Sequence, residues 1–267
     1  MTNGQNVWKV LQSCLSYLGC GYLIGNCIMF KTLLQRLAEA ILPYSMLRFI
    51  GFIYGYCVPK SVSFSQKGED LLCLAYFSKR GVKQGIYLDI GCFHPTWISN
   101  THLLHKQGWQ GHAVDIDEFK LKAMRISRGR KVQTHLGAVF AGYGANATGT
   151  VYKFRRIWSD IDTLDKATAE EYRDNKCGEF EDEQINLIDI NQLLDQLPKV
   201  NFINIDVEGV DSTIIKNLDF KKFLPDAILF EDNHNWDGSA EVVRILHKHG
   251  YKHLFTSGGS ICYAQPL

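Results

Sequence analysis

The sequence lacks most of the features that mark disordered, fibrous and repeat proteins. It has only 6 prolines among 267 residues, and it contains no low-complexity run and no internal repeat. Its formal net charge is only +1, which gives no overall field that would draw the protein to nucleic acid. The composition therefore excludes disorder, collagen and coiled-coil arrays, and we expect no nucleic-acid partner.

Paired cysteine motifs are also missing, and we expect no cleavable leader, because the start of the chain has no basic cluster. The 8 cysteines include no C-x-x-C pair. In a chain of this length such cysteines are typical of reduced thiols that serve as small hydrophobic residues. The pattern predicts a reducing compartment and a cytoplasmic protein.

Residues 1–60 form a predicted N-terminal appendage that is apolar and basic. Its run Val10–Phe30 has no charged residue and is long enough to span a bilayer as a helix. Polar residues and three glycines dilute this run, however. Two interpretations stay open: a membrane span, or a helical appendage that packs on the protein or contacts a membrane peripherally. The expected second domain is residues 61–267.

In the second domain, short apolar runs alternate with helical patterns. The predicted strands are Ile86–Ile90, His112–Ile116, Lys131–Leu136, Val200–Val207, Ala227–Glu231, Tyr251–Phe255 and Ser260–Ala264. The predicted helices are Thr101–Gln107, Glu118–Ser127, which Asp117 caps, Ser212–Leu218 and Ala240–His249. This alternation predicts an α/β fold with a doubly wound, mostly parallel sheet.

One acidic segment, residues 159–189, interrupts the alternation. It holds eleven acidic residues and only three basic ones. We interpret it as a solvated helix and loop inserted before the next strand. The alternative is a lid that repels anionic substrates.

Acidic residues lie at the ends of four of the predicted strands. They are Asp89, Asp115, Asp206 with Glu208, and Glu231 with Asp232. In a doubly wound sheet, ligands bind beyond the carboxyl ends of the strands. The turn after the first strand has the single glycine Gly91 and no G-x-G-x-x-G, which disfavours a nicotinamide-dependent oxidoreductase.

Carboxylates at this edge suit a positively charged nucleoside without phosphates, which is S-adenosylmethionine. Asp89 attracts its charged groups, Gly91 permits close approach, and Asp115 accepts from a ribose diol. The ligand's own carboxylate fits the helix N-terminus at Asn100 and Thr101. The alternative is that Asp89 and Asp115 merely cap turns.

Four motifs in order carry a resemblance to a known family. They are Phe64–Asp70 (FSQKGED), Tyr87–Pro95 (YLDIGCFHP), Ser99–Thr101 (SNT) followed by Gly108–Gly111 (GWQG), and Ile205–Gly209 (IDVEG). Together they resemble FkbM-type S-adenosylmethionine-dependent methyltransferases over about residues 64–264.

The resemblance implies a class I methyltransferase fold, which is Rossmann-like, with seven strands in the order 3-2-1-4-5-7-6 and the last strand antiparallel. It implies O-methylation of a hydroxyl on a small molecule, sugar or polyketide. Asp89, Gly91 and Asp115 are then donor ligands. Gln66, Glu69 and Asp70 cover the donor from an N-terminal helix.

Methyl transfer to a hydroxyl needs a group that accepts the proton. Asp206 and Glu208 are candidates at the fourth strand end, and His234 is a competing general base. Alternatively Asp206, Asp232 and Asn233 hold Mg²⁺, an arrangement similar to that of catechol-type O-methyltransferases. If Glu231 ends its strand, Asp232 is shifted off this site.

Two function classes remain. The first is an S-adenosylmethionine-dependent methyltransferase that acts on a small-molecule or glycan hydroxyl. The second is a catalytically silent methyltransferase-like fold that serves as a binding or membrane-adapter module through residues 1–60.

Overall fold

The structure is a computed structural model and describes residues 63–140, 147–154, 159–231 and 236–267, with backbone alone at residues 236–239. The predicted appendage, residues 1–60 with the run Val10–Phe30, lies outside the described residues. Both interpretations of that segment, and the proposed domain boundary, therefore stay predictions.

The described chain alternates between helices and strands. In chain order the elements are α1 (Glu69–Lys79), β1 (Ile86–Ile90), α2 (His102–Lys106), β2 (Gln110–Asp115), α3 (Glu118–Arg128), β3 (Val132–Leu136), β4 (Ala138–Phe140), β5 (Thr148–Phe154), α4 (Lys166–Asp174), β6 (Phe180–Asp189), α5 (Ile190–Asp195), β7 (Phe202–Ile205), α6 (Asp211–Lys216), β8 (Ala227–Glu231), α7 (Trp236–Lys248), β9 (Lys252–Ser257) and β10 (Ser260–Ala264).

The main sheet has seven strands in the order β3-β2-β1-β7-β8-β10-β9. β10 runs antiparallel to both of its neighbours, whereas the pairs formed by β1, β2, β3, β7 and β8 are parallel. Numbered among themselves, these strands follow the order 3-2-1-4-5-7-6 with the last one antiparallel. The class I methyltransferase fold predicted from the sequence is confirmed.

Both faces of this sheet are buried at its central strands β1, β7 and β8, which are mostly apolar. On β1, Leu88 and Ile90 pack into one hydrophobic cluster, and Tyr87, which precedes Leu88, packs into the other. All four residues of β7 are buried. Helices cover each face, as near-continuous apolar strands require.

Local signals set the ends of α3. The Asp117 carboxylate accepts a hydrogen bond from the amide of Phe119, so the predicted N-cap is confirmed. Gly129 follows the helix with a φ of +62°, a conformation that favours glycine. The Asp117 cap therefore starts α3 directly after β2 ends at Asp115.

Along the chain, the strands of a second sheet come between β3 and α5. This sheet has the strand order β4-β6-β5. We call residues 138–189 the inserted segment. It contains the predicted acidic helix as α4, but residues 180–189 form a strand, so the expected loop there was wrong. Along β6 only Ile185 is buried, and it joins Ala138 and Val151 in a small cluster. A strand with half of its side chains in water tolerates this charge.

Candidate active site

A pocket opens at the carboxyl ends of β1, β2, β7 and β8, where the winding of the main sheet reverses. Its empty space is about 900 Å³, including space open to solvent. The main sheet and the inserted segment both contribute walls. Among the lining residues are Gln66, Gly91, Phe93, Ile98, Asp115, Lys120, Asp160, Asp162, Thr163, Asp206, Glu208 and Glu231.

Gly91 joins the ends of β1 and β7. Its φ is +76°, and a Cβ on it would lie 1.8 Å from the carbonyl oxygen of Asp206. Its amide donates to the carbonyl of Val114 at 3.0 Å. The close approach that this glycine permits is therefore to the Asp206 backbone.

Asp89 lies in a buried polar network below the pocket and is not among the lining residues. Its carboxylate accepts from the Thr101 hydroxyl at 2.5 Å and from the Asn204 side-chain amide at 2.9 Å. Asn100 donates to the side-chain oxygen of Asn204 at 3.1 Å. Burial raises the pKa of Asp89, and the Arg128 guanidinium, 3.9 Å away, opposes that shift. Asp89, Asn100 and Thr101 thus belong to one hydrogen-bond network, in which Asn204 links Asn100 to Asp89.

Arg128 holds this network together, and sequence reasoning missed it. Its side chain is fully buried and donates to the hydroxyls of Tyr87 at 2.9 Å and Ser99 at 2.8 Å. It also donates twice to the carbonyl of Pro95. The available signal was its position on α3, on the same buried face as Leu121 and Met124.

Asp115 is brought to the pocket as expected. Its carboxylate accepts from the backbone amides of Phe93 at 3.1 Å and Asp117 at 3.0 Å. Burial raises its pKa, and Lys120, with Nζ 3.7 Å from the carboxylate, opposes the shift. Lys120 is a second buried cation that was missed, and it donates to the carbonyl of Ser159 at 2.6 Å.

Of the three residues expected to cover the donor, one lines the pocket and two do not. Gln66 lines the pocket. Asp70 instead accepts from the amide of Phe64 at 2.7 Å and the hydroxyl of Ser65 at 2.9 Å, and Glu69 accepts from the amide of Lys67 at 2.8 Å. These two acids shape the loop before α1 that carries Gln66 to the pocket.

Three carboxylates meet at the ends of β7 and β8. Oxygens of Asp206, Glu208 and Glu231 all lie within 4.8 Å of one another. Burial first, and then repulsion from Glu231 and Asp211, raises the pKa of Asp206 well above its ordinary value. Burial likewise raises the pKa of Glu208 to about 7, although a hydrogen bond from Tyr172 opposes the shift. Such a group of oxygens can hold either a proton or a hard divalent cation.

Part of the predicted metal and base set cannot be placed. Asp232, Asn233 and His234 lie outside the described residues. β8 ends at Glu231, so Glu231 is the strand-end carboxylate that joins Asp206. Within residues 63–231 and 236–267, apart from the gaps stated above, the one group suited to a metal is Asp206, Glu208 and Glu231.

Tyr172 on α4 was also missed, and its hydroxyl donates to the Glu208 carboxylate. It lies in the acidic segment among charged residues, so the sequence carries no signal that singles it out.

Among the helices in the described part of the chain, none has the length and hydropathy of a membrane-spanning helix.

Comparison with known proteins identifies one family. The model of the methyltransferase FkbM domain matches residues 73–253. No curated protein matches the chain.

Several solved methyltransferase structures are similar at low identity. A precorrin-6y C5,15-methyltransferase from Geobacter metallireducens is 12% identical, with 79% of this chain and 93% of that chain covered and a TM-score of 0.37. An O-methyltransferase from Bacillus cereus, in complex with SAH, is 12% identical, with 86% and 96% covered and a TM-score of 0.35. A TehB-like SAM-dependent methyltransferase from Corynebacterium glutamicum is 11% identical, with 89% and 96% covered and a TM-score of 0.36.

Proposed function

Because the chain belongs to the FkbM methyltransferase family, whose domain model matches well over half of it, we propose that it methylates a hydroxyl group of a small molecule or glycan with S-adenosylmethionine as donor. The observation that carries the proposal is the pocket at the sheet's reversal point, with carboxylates at the ends of β2, β7 and β8. A phosphate-bearing nucleotide would meet repulsion there, whereas a cationic donor would not.

The donor half of the pocket consists of Gly91, Asp115 and Gln66. An ionised carboxylate offers about four acceptor positions, and backbone amides use one on each oxygen of Asp115. Acceptor positions are therefore left for the hydroxyls of a ribose. S-adenosylmethionine, when bound, supplies a methyl group on a positively charged sulfonium.

Glu208 is the general base in this proposal. A base works best when its pKa is near the working pH, and the pKa of Glu208 is about 7. Burial and the neighbouring carboxylates raise the pKa of Asp206 well above its ordinary value, and carboxylate oxygens of Asp206 and Glu208 lie within 4.8 Å of each other. Glu208, whose carboxylate accepts from the Tyr172 hydroxyl, therefore takes the hydroxyl proton in this proposal.

Mg²⁺ is not needed for this assignment, although the residues present fit it. Asp206, Glu208 and Glu231 offer the hard oxygen ligands that Mg²⁺ prefers, and a bound ion would lower the pKa of a coordinated hydroxyl. Removal of divalent ions distinguishes the two versions of the site.

The proposed partner is the hydroxyl-bearing acceptor alone. Peripheral membrane contact through residues 1–60 and a cytoplasmic location stay predictions from the sequence. The silent-module alternative lacks a reason for three carboxylates to remain crowded in one pocket, where each costs free energy through repulsion.

The test is methyl transfer by the purified full chain. The protein is incubated with donor carrying an isotopically labelled methyl group and with a metabolite extract, and products are analysed by mass spectrometry. We expect a labelled product from wild-type protein and far slower formation of that product by Glu208→Gln protein. Donor binding by wild-type protein without any labelled product would favour the silent module instead.

A further inference from the structure

The inserted segment contacts the loop that follows β7 through three residues. The Thr163 hydroxyl donates to the backbone carbonyl of Glu208 at 2.6 Å, and the Tyr172 hydroxyl donates to its carboxylate. Thr168 packs closely against Gly209, because a Cβ added to Gly209 would lie 2.9 Å from Oγ1 of Thr168. The backbone and the side chain of Glu208 are therefore both held from the inserted segment.

Glu208 needs this support because its backbone is strained. Its φ is +50°, a left-handed conformation that is uncommon for a residue with a side chain, and Gly209 follows at +98°. Strained residues of this kind persist where surrounding contacts determine the conformation, and they concentrate at functional sites. The contacts from Thr163 and Tyr172 are of that kind.

Tyr172 is itself held in place. α4 begins at a cap in which the Asp165 carboxylate accepts from the Thr168 amide at 2.8 Å, and Ala169 of this helix is fully buried. The ring of Phe154 meets the Tyr172 ring edge-on, with centroids 6.2 Å apart. The hydroxyl is thus presented to Glu208 by a helix that is packed and capped.

We infer that Tyr172 is a positioning residue that fixes the Glu208 carboxylate for proton transfer. Its hydroxyl donates to Oε2, which leaves Oε1 to face the acceptor hydroxyl. The inference rests on the proposed function, in which Glu208 is the base. It also places the acceptor between the inserted segment and the ends of β7 and β8, so that this segment is part of the catalytic unit.

The experiment is a double-mutant cycle on the full chain, with labelled methyl transfer and donor calorimetry as readouts. Tyr172→Phe removes one hydrogen bond to a charged group, and we expect kcat to fall about tenfold with donor affinity unchanged. Glu208→Gln should lower kcat about a hundredfold or more. Adding Tyr172→Phe to Glu208→Gln should cost nothing further, because the group that Tyr172 positions is then no longer a base.

Tyr152→Phe is the matched control, since Tyr152 is a half-buried tyrosine of the same inserted segment. The kcat of the Tyr152→Phe protein should equal that of wild type. If Tyr172→Phe does not fold, Thr163→Val tests the second contact and should also lower kcat. Wild-type activity in folded Tyr172→Phe, or equal losses with and without Glu208, would overturn the inference alone. A wild-type protein that transfers no methyl group would overturn the proposed function and this inference with it.

Discussion

Replacing Gly91 by alanine should separate the ends of β1 and β7. A Cβ at this position would lie 1.8 Å from the carbonyl oxygen of Asp206, and atoms at that distance must move apart. The opposing atom belongs to the backbone, so no side-chain rotation can relieve the overlap. Gly81 is a matched control, because its φ of +75° equals that of Gly91 within a degree, and a Cβ on Gly81 meets nothing within 4 Å.

The two substitutions share one cost and differ in the other. Left-handed backbone costs an alanine about 1–2 kcal/mol, and the loss of glycine's freedom in the unfolded chain offsets about 0.4–1 kcal/mol of that. Gly81→Ala should therefore lower the free energy of unfolding by about 1 kcal/mol. Gly91→Ala adds the cost of forcing packed backbone apart, about 1–3 kcal/mol or more.

Thermal unfolding by circular dichroism or calorimetry checks this difference. For a domain of this size, about 1 kcal/mol corresponds to about 2–4 °C in Tm. We expect Gly81→Ala to lower Tm by about 2–4 °C and Gly91→Ala by about three times as much. Equal shifts for the two variants would refute the contact between Gly91 and the Asp206 backbone.

Three further predictions address the pocket. Asp115→Asn should weaken S-adenosylmethionine binding about tenfold in calorimetry, because a charged acceptor is lost, whereas Asp117→Asn, which keeps a helix cap, should not; equal affinities in the two proteins would contradict the donor site. Burial first, and then Glu231, raises the pKa of Asp211 from 3.8 to about 7. Between these two pH values the folded protein keeps a proton that the unfolded chain releases. The stabilisation that this proton gives is complete below the unfolded pKa and is lost as pH rises through the folded pKa. Denaturant unfolding should therefore show stability falling between pH 3.8 and about 7 more steeply in wild type than in Asp211→Asn, and parallel curves would argue against a buried protonated Asp211. Exhaustive EDTA treatment should leave methyl transfer intact, and a loss of transfer restored by Mg²⁺ would assign the three carboxylates to a metal instead.

Much of the main sheet could be predicted from sequence because its strands are buried on both faces. β1, β8 and β10 have the predicted bounds, and β7 is shorter than the predicted Val200–Val207. Buried parallel strands must be apolar along their whole length, which makes them visible as uninterrupted runs. The fold class followed from their alternation with helices.

The second sheet could not be predicted in this way. Residues 179–183 read Glu-Phe-Glu-Asp-Glu, a composition typical of a solvated loop. They lie at or near the start of β6, which pairs antiparallel with β5 and exposes half of its side chains to water. Hydrogen bonds of the backbone, which leave no trace in the side-chain pattern, hold this strand in place.

The site was predictable in its location and less so in its roles. Acidic residues at strand ends marked the pocket edge, and Asp115, Asp206 and Glu208 line it. Asp89 does not, because its side chain is buried against Thr101, Asn204 and the Arg128 guanidinium. An acid in sequence carries no mark of whether a cationic side chain of the same protein already faces it.

The most direct test of the account is a comparison of ligands by isothermal titration of the full chain. S-adenosylmethionine and NAD⁺ are titrated separately into wild-type protein and into Asp115→Asn protein. The account predicts binding of S-adenosylmethionine to wild type, weaker binding to the variant, and no binding of NAD⁺ to either. Binding of NAD⁺ with no binding of S-adenosylmethionine would contradict it.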